Sequence, residues 1–164
     1  IKRFKTGVDV LTLTATPSPG YVFDRWSGGA CTGTDPVCTF SMTGPRGTTA
    51  YFLPAKTATV SRAGTGSGSV SSSPAGIACG AGGACSQAYA SGTSVTLTAT
   101  PASESAFKGW SGACTGTSLT CVLSLTSDQS AIAHFDLLPT SALTVTLSGA
   151  GAGTVVGGGI DCGL

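Results

Sequence analysis

The side chains of this chain that could do chemistry are seven cysteines, one histidine, seven acidic residues and two tryptophans. Their spacing narrows what that chemistry is. Six residues separate Cys31 from Cys38 and Cys114 from Cys121, and five separate Cys79 from Cys85. Structural zinc sites favour tighter C-x2-C steps completed by further cysteines or histidines. None of these pairs has that step, and the one histidine, His134, is matched by Tyr51 in the other copy of its segment. The pairs therefore read as local disulfides, Cys31–Cys38, Cys79–Cys85 and Cys114–Cys121, formed in an oxidising compartment. Cys162 occupies the position of Cys79 in a further copy, and its partner is expected beyond these residues.

A nucleophile needs a base within reach, itself held by a third group. His134 lies in an alternating apolar stretch, which favours a structural or surface role. The acidic residues Asp9, Asp24, Asp35, Glu104, Asp128, Asp136 and Asp161 recur nowhere as a matched carboxylate pair, so a glycosidase dyad has no basis. No D-x-D-x-D-G loop offers calcium its cluster of oxygens. The glycine runs Gly64–Gly68 and Gly149–Gly153 superficially resemble phosphate loops. They lack the lysine and the following helix such loops require, and read as hairpin turns. The expectation is a protein without catalytic residues, metal or cofactor, and not an enzyme.

The aromatic residues Phe23, Trp26, Phe107 and Trp110 precede two of the cysteine pairs. An exposed indole could stack on a sugar ring. A buried one would plug a thin core and lean on the neighbouring disulfide. Recurrence of the same Phe–Trp pair in both copies, and the scarcity of other large side chains, favour the plug. Gly109, between Phe107 and Trp110, suggests a bulge or a close backbone approach, although Arg25 stands at that place in the first copy.

The elements that must position these residues are repeated. Val10–Pro17 (VLTLTATP) returns as Ser94–Pro101 (SVTLTATP), and Trp26–Cys38 (WSGGACTGTDPVC) as Trp110–Cys121 (WSGACTGTSLTC). Leu143–Val155 echoes Ala58–Val70, and Gly159–Cys162 echoes Gly76–Cys79. The period is about 83–85 residues, the mark of a tandem array. It divides the chain into the back part of one unit (1–54), a complete unit (55–139) and the front part of the next (140–164).

Within each unit the local signal has period two. Val95, Leu97 and Ala99 alternate with Thr96, Thr98 and Thr100, as Leu11, Leu13 and Ala15 alternate with threonines. Such runs are half-buried strands. Cys121–Leu125, Ala131–Phe135, Ala58–Arg62, Ser69–Ser71 and Leu143–Leu147 follow the same rule. No stretch carries a capped helical period. The fold class is all-β: tandem small domains of about six short strands, stapled by local disulfides because so small a core is thin.

Composition closes other routes. Charged residues are 9% and net charge is +1, so no electrostatic footprint for nucleic acid exists, and the basic start (Lys2, Arg3, Lys5) reads as a solvated strand edge. No apolar run approaches the roughly 20 residues of a membrane-spanning helix. There is no asparagine, hence no N-linked glycan and no Lys–Asn isopeptide crosslink.

Taken together, the G-T-x-V-x-L-x-A-x-P strand, the F-x-x-W-S-G box with its CTGT loop and the closing A-x-F strand resemble the divergent internalin-type B-repeat family. The resemblance covers nearly the whole chain. It implies a small β-domain of β-grasp-like kind, used in tandem on secreted or surface-anchored bacterial proteins as stalk, spacer or adhesive module, and brings no catalytic residues with it. Two functions follow as expectations. The first is a structural module of an extracellular fibre or stalk, whose partners are adjacent repeats or copies of itself. Strand addition between incomplete repeats could join them, with Val10, Leu11, Leu13, Leu143, Val145 and Leu147 as candidate inter-unit strands. The second is an adhesin taking a glycan or protein ligand through loops around Trp26 and Trp110.

Overall fold

The threonine-rich alternation becomes thirteen strands and, among the described residues, no helix. The structure, a computed structural model, describes residues 10–80 and 82–162, with side chains only as far as residue 159. The basic start, Asp9, and the side chains of Asp161 and Cys162 lie outside the described part.

The first repeat supplies β1 (Val10–Thr14), β2 (Tyr21–Gly28), β3 (Val37–Ser41) and the start of β4 (Thr48–Ala63). The middle repeat adds β5 (Gly68–Ser73), β6 (Ala78–Cys79), β7 (Ser86–Ala90), β8 (Ser94–Pro101), β9 (Ser105–Gly112), β10 (Thr120–Ser124) and β11 (Gln129–Leu137). The third contributes β12 (Val155–Gly157) and β13 (Ile160–Cys162), which pair with each other.

The middle repeat is two sheets face to face. One is antiparallel, in the order β10-β8-β5-β6. The other joins β9, β11, β4 and β7, with β11 running parallel to β4. Val95, Leu97 and Ala99 of β8, with Val70 of β5 and Leu123 of β10, meet Ala58, Val60, Ala131, Ala133 and Phe135, all buried. Alternation thus does what was expected of it: one face of each strand fills the core, the other carries threonine and serine into solvent. A β-grasp sets a helix against its sheet; here the second layer is another sheet.

Eight strands serve the middle repeat, counting the shared β4, where about six were expected. Those that alternation does not reveal, β6, β7 and β9, lack a clean period of two. In β9 the reason is a bulge. Gly109 lies opposite His134 and Phe107 opposite Phe135, which leaves Lys108 without a partner. Asp24 is the extra residue at the same place in β2. The bulge carries the aromatic residue past the period-two rule, so that Phe107 and Trp110, three apart, meet at 5.3 Å between ring centroids.

The repeat boundary at Pro54 falls inside one continuous strand. Residues 48–54 of β4 pair with β2, residues 55–59 with β7 and residues 58–63 with β11. Proline brings no N–H, yet the ladder is bridged on either side of it. The Ala55 amide donates to the Gly20 carbonyl at 2.8 Å, and the Ser91 amide to the Pro54 carbonyl at 2.7 Å. The unit of sequence duplication and the unit of hydrogen bonding therefore differ.

The segment holding Leu143, Val145 and Leu147, read as a strand, is not one. Its counterpart Ala58–Arg62 is held between β7 and β11, whereas no strand among the described residues lies against 143–147. Alternation prepares a strand, but only a ladder partner satisfies its backbone groups. Val10, Leu11 and Leu13 do form a strand, β1, which pairs only with β3 of its own repeat among the described residues. The strand that passes between repeats is β4.

Candidate functional site

Each tryptophan is built into a turn that returns onto it. The Trp110 amide donates to the Gly116 carbonyl at 2.8 Å, and the Trp26 amide to the Gly33 carbonyl at 2.8 Å. Gly116 (φ +94°) and Gly33 (φ +97°) adopt the left-handed conformation this return needs. The indole of Trp110 also donates through Nε1 to the Ser118 carbonyl at 2.9 Å. In the first copy the box is one glycine longer, and Trp26 Nε1 is buried without an acceptor among the described residues. Both indoles are buried, at 8% and 5% exposure, with Phe23 and Phe107 beside them. They are core plugs and offer no open ring face for a sugar.

Gly109 shows why the turn closes tightly. Its φ is +133°, and a Cβ there would stand 2.8 Å from the Gly116 carbonyl oxygen. Arg25 takes its place in the first copy without a positive φ and lies over the Tyr51 ring at 4.4 Å. Gly109→Ala is expected to destabilise the middle repeat by at least about 1 kcal/mol, combining backbone strain with a steric clash. Urea unfolding measures this. An unchanged midpoint would show that the close approach has no energetic weight.

Three disulfides are formed: Cys31–Cys38, Cys79–Cys85 and Cys114–Cys121. Though local in sequence, they are not merely loop pins. Cys114 follows β9 and Cys121 lies in β10, so that bridge joins one sheet of the middle repeat to the other. Cys79 in β6 is bonded to Cys85, whose carbonyl accepts from Val60 of β4 at 2.8 Å, and this bridge also crosses between layers. In the first repeat Cys31–Cys38 connects the end of β2 to β3, linking the β2–β4 ladder to the β1–β3 pair. Cys31, Cys79 and Cys114 are each almost fully buried.

The other candidate residues are dispersed. His134 Nε2 lies 2.8 Å from Ser111 Oγ across the β11–β9 pair. No acidic group orients the ring from its far side among the described residues, and a serine–histidine contact without that third group is a cross-strand hydrogen bond. Three of the acids hold backbone. Asp128 accepts from the Thr57 amide at 2.8 Å, just past the repeat boundary, and Asp35 from the Val37 amide at 2.8 Å. Asp136 accepts from the Thr65 amide at 3.2 Å, and Asp24 pairs with Arg25. No three of histidine, cysteine, aspartate and glutamate cluster among the described residues. The sequence reading missed the roles of Asp128 and Asp136. Each stands at an end of β11, and its backbone partner lies 71 residues earlier, a distance that is no multiple of the repeat and so gives no signal without the pairing.

The model of the divergent InlB B-repeat domain matches this chain twice, over residues 3–56 and 58–139. No curated protein and no solved structure matches it. Two matches spanning most of the chain, on an all-β structure carrying one box twice, show that it belongs to the divergent InlB B-repeat domain family.

Proposed function

We infer that this chain is a structural repeat module of an extracellular bacterial fibre, stalk or surface protein, in which neighbouring repeats are joined as one stiff body. The observation that carries this reading is β4, sixteen residues long, which crosses the repeat boundary and is hydrogen-bonded in both units. Boundaries between independent domains lie in exposed linkers that few contacts cross. Here the boundary is ladder, further tied by Asp128 to Thr57. The inter-sheet disulfides support an oxidising location, secreted or on the cell surface. Arrays of this kind draw stability from each unit and from contacts with its neighbours. Their partners are accordingly adjacent repeats or further copies, joined head to tail by strand addition. The adhesin alternative has lost its stacking platform, because both indoles are buried.

Hydrogen exchange tests the stiff junction. The amides of Ala55, Thr57 and Thr59 should exchange as slowly as those of Ala58 and Val60 in the core. Fast exchange at 55–57 with a protected core would mean a hinge and overturn the reading. Antibody labelling tests the location: intact cells should be stained without permeabilisation, and staining only after permeabilisation would remove the extracellular assignment.

A further inference from the structure

Tension along a tandem array enters each unit through the chain itself, at the first residue of the unit and at the last. In the middle repeat these points are Ala55, where its share of β4 starts, and Leu137, where β11 ends. The two strands are neighbours and run parallel, with Ala58 opposite Gln129 and Ala63 opposite His134. They are the only parallel pair among the described residues.

That direction decides how load falls on the ladder. A pull from the preceding repeat draws β4 towards its N-terminal end, and a pull from the following repeat draws β11 towards its C-terminal end. The strands are made to slide past each other, so the six paired positions bear load together. Were the pair antiparallel, both load points would lie at one end of the ladder, and its bonds would open one at a time.

Both ends of the ladder are reinforced. At the entry end Asp128 accepts from the Thr57 amide at 2.8 Å. At the exit end the glycine turn between β4 and β5 lies on β11. There Asp136 accepts from the Thr65 amide at 3.2 Å, the Gly66 amide donates to the Phe135 carbonyl at 2.8 Å, and the Leu137 amide donates to Thr65 Oγ1 at 3.2 Å. A Cβ on Gly64 would strike the Phe135 carbonyl, one on Gly66 the Asp136 backbone, and one on Gly68 the Phe135 ring, so alternate glycines are what lets the turn come this close.

Neither strand is a free edge, because β7 flanks β4 and β9 flanks β11. On the core side Ala58, Val60, Ala131, Ala133 and Phe135 are buried, which keeps water from replacing the ladder bonds as they stretch. No disulfide joins β4 to β11. Cys79–Cys85 and Cys114–Cys121 lie between the load points, so they limit the chain released after rupture and leave the resistance to the ladder.

We propose that the β4–β11 pair is a mechanical clamp through which the middle repeat bears tension along the array. This rests on the reading of the chain as a stalk or fibre module, and names what such a module does under load.

Force spectroscopy of the full chain, pulled in two directions at one loading rate, is the test. Handles at residues 1 and 164 shear the ladder. Handles on the side chains at positions 59 and 130, where exposed Thr59 and Ser130 are paired near the entry end, peel it. The folded repeat is the same in both, so its equilibrium stability cancels, and forced unfolding reports the barrier along each direction. The sheared repeat should yield at a force at least about twofold above the peeled one, because six individually weak pairs are loaded at once. Its event is recognised by length: reduction adds two loops to it and only one to that of the first repeat. Thr65→Ala/Asp136→Ala strips the exit end and should lower the shearing force while leaving the peeling force, set at the entry end, unchanged. Equal forces in the two directions would overturn the clamp, while slow exchange of the junction amides would still support the stiff array. A double variant that weakens both directions equally would reveal a loss of fold stability and overturn the reinforcement.

Discussion

Phe135→Ala is expected to cost the middle repeat about 3–5 kcal/mol, whereas Phe52→Ala, at the same place in the first repeat, should cost no more than about half as much. The two residues occupy one position of the repeat and differ only in what covers them. Phe135 is closed over by the glycine turn, with the Phe107 ring 5.5 Å away. Phe52 has Phe23 at 5.8 Å and is open elsewhere. Truncating a closed aromatic removes its transfer free energy and leaves a cavity that the glycine turn, held by hydrogen bonds to β11, collapses into poorly. Truncating an open one leaves water where water already stood. Small domains have about 5–15 kcal/mol in all, so the first loss is a large share of the repeat's stability. Urea unfolding followed by Trp110 fluorescence, in a Trp26→Phe background, measures the contrast. Equal losses would show that the turn does not bury Phe135 in solution.

That contrast also marks how far the fold was legible. The strands with clean alternation, β8, β10 and β11, were readable because every second residue enters the core. β9 was not readable as a strand, because a single extra residue at Lys108 shifts the phase and puts Phe107 and Trp110 on one side. Cysteine pairing was legible from the repeat: copies of a spacing reveal a bond where a lone spacing would not. That each bond crosses between sheets was not legible, because it depends on β6 and β10 sharing one layer while β7 and β9 lie in the other. The junction was the largest gap. A proline at 54 reads as a stop, since it cannot donate to a ladder. The neighbouring amide and the Pro54 carbonyl carry the pairing through instead. Leu143–Leu147 is the converse case, with ideal alternation and no ladder, because periodicity describes a face and says nothing of partners. The Gly64–Gly68 turn, set aside as a hairpin, is a hairpin between β4 and β5 with a second property. Three alternate glycines are more than a turn requires, and the excess is explained by what lies beneath them.

Removing the first bridge, Cys31→Ala/Cys38→Ala, should unfold the first repeat while leaving the middle one folded. A loop of this length contributes about 2.5 kcal/mol when closed by a disulfide. In the middle repeat that sum is added to a core of sixteen buried residues. In the first it is added to three, Ala15, Trp26 and Cys31. The β1–β3 pair is two strands alone, and an isolated pair is marginal in water. Cys31–Cys38 is its covalent tie to the β2–β4 ladder, so without it β1 and β3 separate and Trp26 loses its cover. The β4 ladder limits the damage, because its residues 55–63 are held by β7 and β11 whatever happens to residues 48–54. Trypsin reads the outcome. In the oxidised protein Arg25, inside the β2 ladder, should resist cleavage; in the variant Arg25 and Arg46 should be cut while Arg62, in the β4–β11 ladder, survives. Uncut Arg25 in the variant would mean that the small core holds the repeat unaided, and loss of Arg62 together with Arg25 would mean that the two repeats unfold as one. The corresponding variant of the middle repeat, Cys114→Ala/Cys121→Ala, should lower its urea midpoint without exposing Arg62, because sixteen buried side chains hold the two sheets together when their staple is gone.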